Sequence, residues 1–365
     1  MNGLKFSLKY WLLPIKNLSR QRIYKRDGSN MNILLTGGTG YIGSHAAVVM
    51  AEAGHKVILF DNLCNSKPDV VTRLKKITGK AIHFVNGDVR DTPLLEKTLV
   101  DFMIDTVIHF AGLKAVAESV KNPTEYYANN VQGSISLLQA MKNCNVKKIV
   151  FSSSATVYGN PLYLPYDEEH PTNPINPYGR SKLQVEQILK DLSQADPSLR
   201  VAVLRYFNPV GAHESGLIGE DPKGIPNNLM PILNRVAFGE LPNLKVYGDD
   251  YPTKDGSAER DYIHIIDLVE GHLRALNFLS NQSGFNVFNL GSGEATSVLS
   301  FVAKFEFATG KTVHKKNVGR RDGDLSAYFA NINKAKQLLK WKPKKTLYDI
   351  CSSASRHWQL SNLQD

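Results

Sequence analysis

In the stretch NPYGRSK, Tyr178 stands four residues ahead of Lys182. Asn176 suits a helix cap and Pro177 the first helical position. Val185, Ile188, Leu189 and Leu192 then continue at helical spacing. The pattern predicts a helix carrying a phenol and an ammonium one turn apart on one face. Such a pair can move a proton if the phenol ionises. A free tyrosine, with a pKa of about 10, is a poor base at neutral pH, and an adjacent positive charge favours its phenolate. A hydroxyl to share the proton comes from Ser152, Ser153 and Ser154 in FSSSATVYG. Alone, the pair reads equally well as a solvated helix face and the serines as a turn. Their company must decide.

The company begins at TGGTGYIG, residues 36–43, directly after the apolar run NILLT. Gly38, Gly40 and Gly43 fit G-x-G-x-x-G, and Gly37 adds a second glycine reading. Glycines there permit a tight turn and close backbone approach to a pyrophosphate, which the free N–H groups of the following helix then face. Asp61 ends the second strand run, KVILF, where a carboxylate accepts hydrogen bonds from ribose hydroxyls and repels a 2′-phosphate. The spacing points to NAD rather than NADP. The positive nicotinamide ring of such a cofactor would add to Lys182 in favouring the Tyr178 phenolate. Asp88, after a third strand run, either meets the adenine or caps a turn.

The elements that must position these groups repeat in order. Apolar runs at 81–88, 105–112, 147–153 and 200–207 are separated by helical patterns near 92–103, 124–144 and 178–194. Strands alternating with helices imply a parallel sheet with right-handed crossovers, buried on both faces. The expected fold is α/β, a Rossmann-type doubly wound sheet over residues 31–207. A smaller mixed α/β lobe for substrate follows over residues 208–365, where loops rich in Pro, Gly and Asn break the alternation. Later segments are free to return to the sheet.

Composition narrows the function classes. The net charge of +10 invites a nucleic-acid reading, yet residues 1–30 hold seven basic residues against Asp27 alone. The excess is largely a basic extension, expected to be disordered, and the remainder gives no reason to invoke nucleic acid. No apolar run of about 18 residues suggests a membrane span. Cys64, Cys144 and Cys351 lie far apart without a ligand spacing, so neither a metal site nor a disulfide framework is expected, and a reducing cytoplasm fits.

TGGTGYIGSH, DNLCNS, HFAGLKAV, FSSSATVYG, PYGRSK, RYFNPVGAH, GIPNNLMP and RDYIH occur in that order. Over about residues 31–345 this series resembles the UDP-glucose 4-epimerase family, in the extended short-chain dehydrogenase/reductase group. The resemblance implies Ser154 as catalytic serine, Tyr178 as acid/base and Lys182 as cofactor anchor. Around a tightly held NAD it implies Gly37, Gly40, Tyr41, Ile42, Gly43, Asp61, Asn62, Asp88, Val89, Phe110, Lys114, Asn129 and Phe207, with Tyr178 and Lys182. For a UDP-sugar it implies Ser154, Tyr178, Asn208, Asn228, Arg260, Arg321, Asp324 and Tyr328. The bulk of Tyr328 is expected to admit a C2 hydroxyl but not an N-acetyl group. A homodimer through the helices near 92–103 and 124–144 is also implied. Arg180 replaces the more usual lysine at a position the chemistry does not need. Arg260 also reads as a surface pair with Asp261, Arg321 as part of a basic turn, and Tyr328 as a packed aromatic. A 4,6-dehydratase, a 4-epimerase of acidic sugars and a non-catalytic NAD-binding redox regulator remain alternatives. A dehydratase would want a carboxylic acid beside the serine, and a regulator would not need the Tyr/Lys pair.

Overall fold

Successive residues of a strand point to opposite faces, so a strand that is apolar throughout must be covered on both. The chain meets this demand with two cores. Ile33 and Leu35, Val57 and Leu59, Val150, and Ala202 and Leu204 face one core. Leu34, Ile58, Ile149 and Phe151, and Val201 and Val203 face the other.

The structure, a computed structural model, describes residues 30–221, 228–321 and 324–362. The basic extension over residues 1–30 lies outside the described residues except for Asn30. From Met31 onward the chain forms one compact unit. β1 (Asn32–Thr36), α1 (Tyr41–Glu52), β2 (Lys56–Asp61), α2 (Asp69–Thr78), β3 (His83–Asn86), α3 (Thr92–Asp101) and β4 (Thr106–His109) alternate. α4 (Val116–Lys121) and α5 (Pro123–Tyr126) follow. A π-helical stretch, Tyr127–Gln132, then runs into α6 (Gly133–Asn143) and β5 (Lys148–Ser154). α7 (Pro177–Ala195) and β6 (Arg200–Tyr206) complete the run.

Beyond it lie β7 (Asn208–Val210), α8 (Leu229–Ala237), β8 (Leu244–Tyr247), β9 (Glu259–Arg260), β10 (Tyr262–His264), α9 (Ile265–Asn281) and β11 (Gly284–Leu290). β12 (Thr296–Ser297), α10 (Val298–Thr309), β13 (Lys315–Val318), β14 (Ala327–Tyr328) and α11 (Leu347–Asn362) close the chain. The helical pattern near 124–144 did not reveal its π-helical stretch. α2 was not anticipated either, although Val70, Val71, Leu74 and Ile77 repeat at helical spacing along it and pack toward the core.

The main sheet has seven strands in the order β11-β6-β5-β4-β1-β2-β3, all parallel. The order reverses between β1 and β4, so the crevice outside their carboxyl ends is the topological switch point where open α/β sheets bind ligands. α9 and β11 carry residues 265–290 back from the distal lobe to this sheet. The lobe has its own core, with Met230, Leu233, Tyr262, Phe301 and Phe305 at its centre. Its short strands pair as β7 with β10, β8 with β13, and β9 between β12 and β14.

Candidate active site

A cavity of about 310 Å³ opens at the switch point, lined from the ends of β1, β2, β4, β5 and β6 and from the lobe. Gly37 turns with φ +67°, and a side chain there would overlap the Ala111 backbone, 2.7 Å away. At Gly43 a Cβ would stand 2.2 Å from the Gly37 carbonyl oxygen, so the first turn of α1 can pack against the loop only as glycine. Gly40 is the N-cap of α1 and brings no side chain to it. The first N–H groups of that helix thus face the cavity mouth uncapped, which fits the pyrophosphate of a dinucleotide.

Gly37, Gly40, Tyr41, Ile42, Gly43, Asp61, Asn62, Val89, Phe110, Lys114, Asn129 and Phe207 all line this cavity. The Asp61 carboxylate is fixed by the N–H groups of Thr39 (3.1 Å) and Leu63 (2.8 Å). Asp88 does not line it. Its carboxylate takes bonds from Arg90 (2.8 Å) and Asn62 (3.2 Å), and the Arg90 guanidinium holds it down at about 2. Asp88 thus braces Asn62 and the turn, while Gly87 and Val89 on either side of it line the cavity.

The acid/base group is built where β5 meets α7. The Asn176 side chain accepts the Gly179 N–H at 2.8 Å and Pro177 opens the helix, as the sequence suggests. Ser154, Tyr178 and Lys182 all line the cavity, with Asn228 and His357 reaching it from the lobe. Ser154 Oγ accepts from the Thr156 N–H (3.2 Å) and hydroxyl (2.9 Å), and its hydroxyl beside the Tyr178 phenol favours the phenolate. The Lys182 ammonium, 5% exposed, donates to the Ser152 carbonyl at 2.8 Å, and burial brings it down to about 8 against the pull of Glu186. The lowering of the Tyr178 phenol expected from Lys182 is not met in the chain itself. Burial pushes that phenol above its ordinary value, and the neighbouring Ser154 hydroxyl is what opposes it. Ionisation then needs a further positive charge in the cavity, such as a nicotinamide ring.

Behind the helix runs a buried polar chain that sequence reasoning missed. Thr36 meets His109 Nδ1 at 2.6 Å, His109 Nε2 meets Ser134 at 2.9 Å, and Ser134 donates to the Asn130 carbonyl. The Asn130 side chain accepts the Leu113 N–H (2.8 Å) and donates to Ser181 (3.0 Å), which donates to the Tyr178 carbonyl (2.7 Å). Asn130 sits in the π-helical stretch, a distortion often found at functional sites. Tyr206, also missed, lines the cavity and donates to His272 Nε2. Tyr206 falls within RYFNPVGAH, but its partner lies sixty-six positions away, and Asn130 stands in no short motif.

The remaining residues assigned to the sugar nucleotide are placed differently. Asn228 lines the cavity and donates to Glu220 at 2.5 Å. Asn208 donates to the Asp261 carbonyl at 3.0 Å. Arg260 pairs with Asp324 at 3.4 Å, not with Asp261, whose carboxylate is buried and occupied by the N–H groups of Ser292, Gly293 and Ala330. The Arg321 guanidinium lies 3.7 Å from the centroid of the Tyr247 ring. Tyr328 packs 5.0 Å from the ring of Phe207, which lines the cavity, and 5.5 Å from that of Tyr166. Asn208, Arg260, Arg321, Asp324 and Tyr328 do not themselves line it. Among the described residues no cluster suits a metal ion, and no helix is long and apolar enough to cross a membrane.

Residues 33–291 match the model of a family described as NAD dependent epimerase/dehydratase. A curated relative from Yersinia pestis, UDP-glucose 4-epimerase, is 51% identical over 92% of this chain and 99% of its own length. The crystal structure of the Stenotrophomonas maltophila UDP-glucose 4-epimerase, with NAD and formylated UDP-arabinopyranose, is 48% identical with a TM-score of 0.90. It covers 92% of this chain and 100% of that one. The Bifidobacterium longum enzyme, with NAD⁺ and UDP, is 50% identical over 91% and 99% with a TM-score of 0.87.

Proposed function

This chain belongs to the NAD dependent epimerase/dehydratase family, and we propose that it interconverts UDP-glucose and UDP-galactose with a resident NAD. One observation carries the reading: Ser154, Tyr178 and Lys182 share a cavity with the glycine turn and Asp61. Relatives named for this reaction align over nearly the whole chain.

Bound NAD supplies the acceptor and donor of the hydride at sugar C4. Gly37, Gly40, Gly43 and the α1 N-terminus hold its pyrophosphate, Asp61 its adenosine ribose, and Lys114 and Lys182 its nicotinamide side. Tyr178 removes the proton from the 4-hydroxyl and returns it after the sugar has turned over. Ser154, whose hydroxyl beside Tyr178 favours the phenolate, shares that proton and keeps the phenol aimed. Arg260, Arg321 and Asn228 hold the uridine diphosphate, the guanidiniums through paired bonds to phosphate oxygens. Asn208 and Asp324 complete this end. Tight grip on the nucleotide with few fixed contacts to the hexose is what lets the keto sugar present its other face. Tyr328, with Phe207 and Tyr166, sets the width of that sugar space.

We further propose a homodimer through α3 and the α5–α6 segment, supported by Val100 and Met103, which are 43% and 61% exposed beside that face. Cytoplasmic residence belongs to the same reading. The test is incubation of the purified protein with UDP-galactose and no added NAD, scored by chromatography. UDP-glucose should accumulate to an equilibrium mixture. No conversion, even with NAD supplied, overturns the reading.

A further inference from the structure

Tyr178, Lys182 and Glu186 follow one another at four-residue steps along α7. Each reaches the last turn of β5. Tyr178 lines the cavity beside Ser154, Lys182 donates to the Ser152 carbonyl (2.8 Å), and Glu186 accepts from the Ser153 hydroxyl (2.5 Å). Two of these contacts belong to the acid/base machinery already described. The third has no assigned part in it.

Glu186 is 3% exposed, and its carboxylate is gripped twice by Arg205 on β6, through Nε at 3.1 Å and Nη2 at 2.6 Å. Arg205 is itself 6% exposed and stacks its guanidinium 4.8 Å from the centroid of the Tyr158 ring. Tyr158 in turn donates to the Asn289 side chain at 2.6 Å. A buried ion pair repays its desolvation only with such geometry, and apolar residues of similar size often stabilise as well. Tying α7 to the sheet therefore does not by itself call for charges here.

We propose that Glu186 is a positioning residue for the chemistry: clamped by Arg205, its carboxylate keeps the Lys182 ammonium charged one helical turn away and fixes the end of β5 that bears Ser154. This rests on the reaction proposed above. Until a bound cofactor ionises Tyr178, the other groups facing Lys182 supply no anion. His109 on β4 is a neutral imidazole in its hydrogen-bonded slot, the Phe151 ring on β5 lies 5.0 Å from Nζ, and Asn130 is uncharged. Tyr178 and Tyr206 are phenols that burial keeps protonated, and Tyr126, on α5, is held so by burial and by Glu118. Arg205 is a second cation, which Glu186 shields. Before Tyr178 ionises, Lys182 thus has one buried counter-ion on its own helix, Glu186, and burial works against its charge.

The test uses the full-length protein with its cofactor and two variants, E186Q and E186M/R205M. Two readouts are followed across pH: the rate of UDP-hexose interconversion, and the titration of Lys182 by NMR of labelled lysine side chains. In E186Q both the Lys182 midpoint and the alkaline limb of the rate should move down by about one pH unit or more. The double variant, which removes anion and cation together, should show a smaller shift in the same direction. If E186Q does not fold, the double variant decides alone. A Lys182 titration unchanged from the parent overturns the proposal, as does an activity loss of equal size at every pH. A parent that titrates as expected but converts no UDP-hexose would instead sink the assigned reaction.

Discussion

The cofactor end and the sugar-nucleotide end of this molecule are built by different means. At the first, backbone is laid out for the proposed binding: Gly37, Gly40 and Gly43 clear a path, and the N–H groups of α1 face what enters. Its residues fall within one βαβ unit and a few strand ends. At the second, side chains must converge from distant short strands. Arg260 finds Asp324 sixty-four positions away, and Tyr328 finds Phe207 and Tyr166. A backbone site tolerates almost no change of shape, whereas a side-chain site tolerates replacement and changes what it accepts.

The harshest way to break this contrast is at Gly43. A valine there places carbon on the Gly37 carbonyl, and a loss of about 3 kcal/mol or more is expected from such backbone overlap. Gly43→Val should purify without NAD absorbance and melt well below the parent. A variant that keeps its cofactor and its melting temperature would show that the turn is not as tight as drawn.

Acid should weaken both ends together. Burial lowers His45 and His109 to about 3, and His264 and His272 to about 4. Unfolded, these imidazoles bind protons near 6.5, and folded they do so only much lower. The unfolded state therefore gains protons first, and stability falls as pH drops from about 6.5 toward 4 to 3. At one unit below 6.5 each contributes a loss of about 1 kcal/mol. Denaturant melts between pH 7.5 and 5 check this, and a flat profile would contradict it.

Arg260→Met should act at one end alone. Loss of a charged hydrogen-bonding partner is expected to weaken UDP binding by about 2 kcal/mol, some thirtyfold, with NAD retention unchanged. Equal loss of NAD and UDP binding would erase the distinction between the ends. The mildest change is Tyr328→Ser, which shortens the wall proposed for the sugar space. Turnover of N-acetylated UDP-hexoses should rise about tenfold or more relative to the plain hexoses. No change in that ratio would leave Tyr328 as packing.

The same contrast explains what the sequence disclosed. Alternating strand and helix patterns, the glycine spacing and Asp61 are local, and each imposes its geometry within a few residues. The cap of α7 by Asn176 was legible for that reason. Asn130, Tyr206 and the Arg205–Glu186 pair were not, because their meaning lies in partners dozens of positions away: Ser181, His272 and Ser153. The effect of burial on Tyr178 was hidden likewise. A sequence shows which charge is four residues off, but not how much water the fold removes.

The central claim is that the Tyr178 phenol moves the proton of the hexose 4-hydroxyl while the rest of the site merely holds. Tyr178→Phe removes one oxygen from a cavity whose glycine turn, Asp61 and Lys182 stay in place. Interconversion of UDP-galactose and UDP-glucose should fall by about a hundredfold to ten-thousandfold while bound NAD stays at the parental level. A Tyr178→Phe protein that retains its NAD and converts the two sugars at the parental rate would contradict the account.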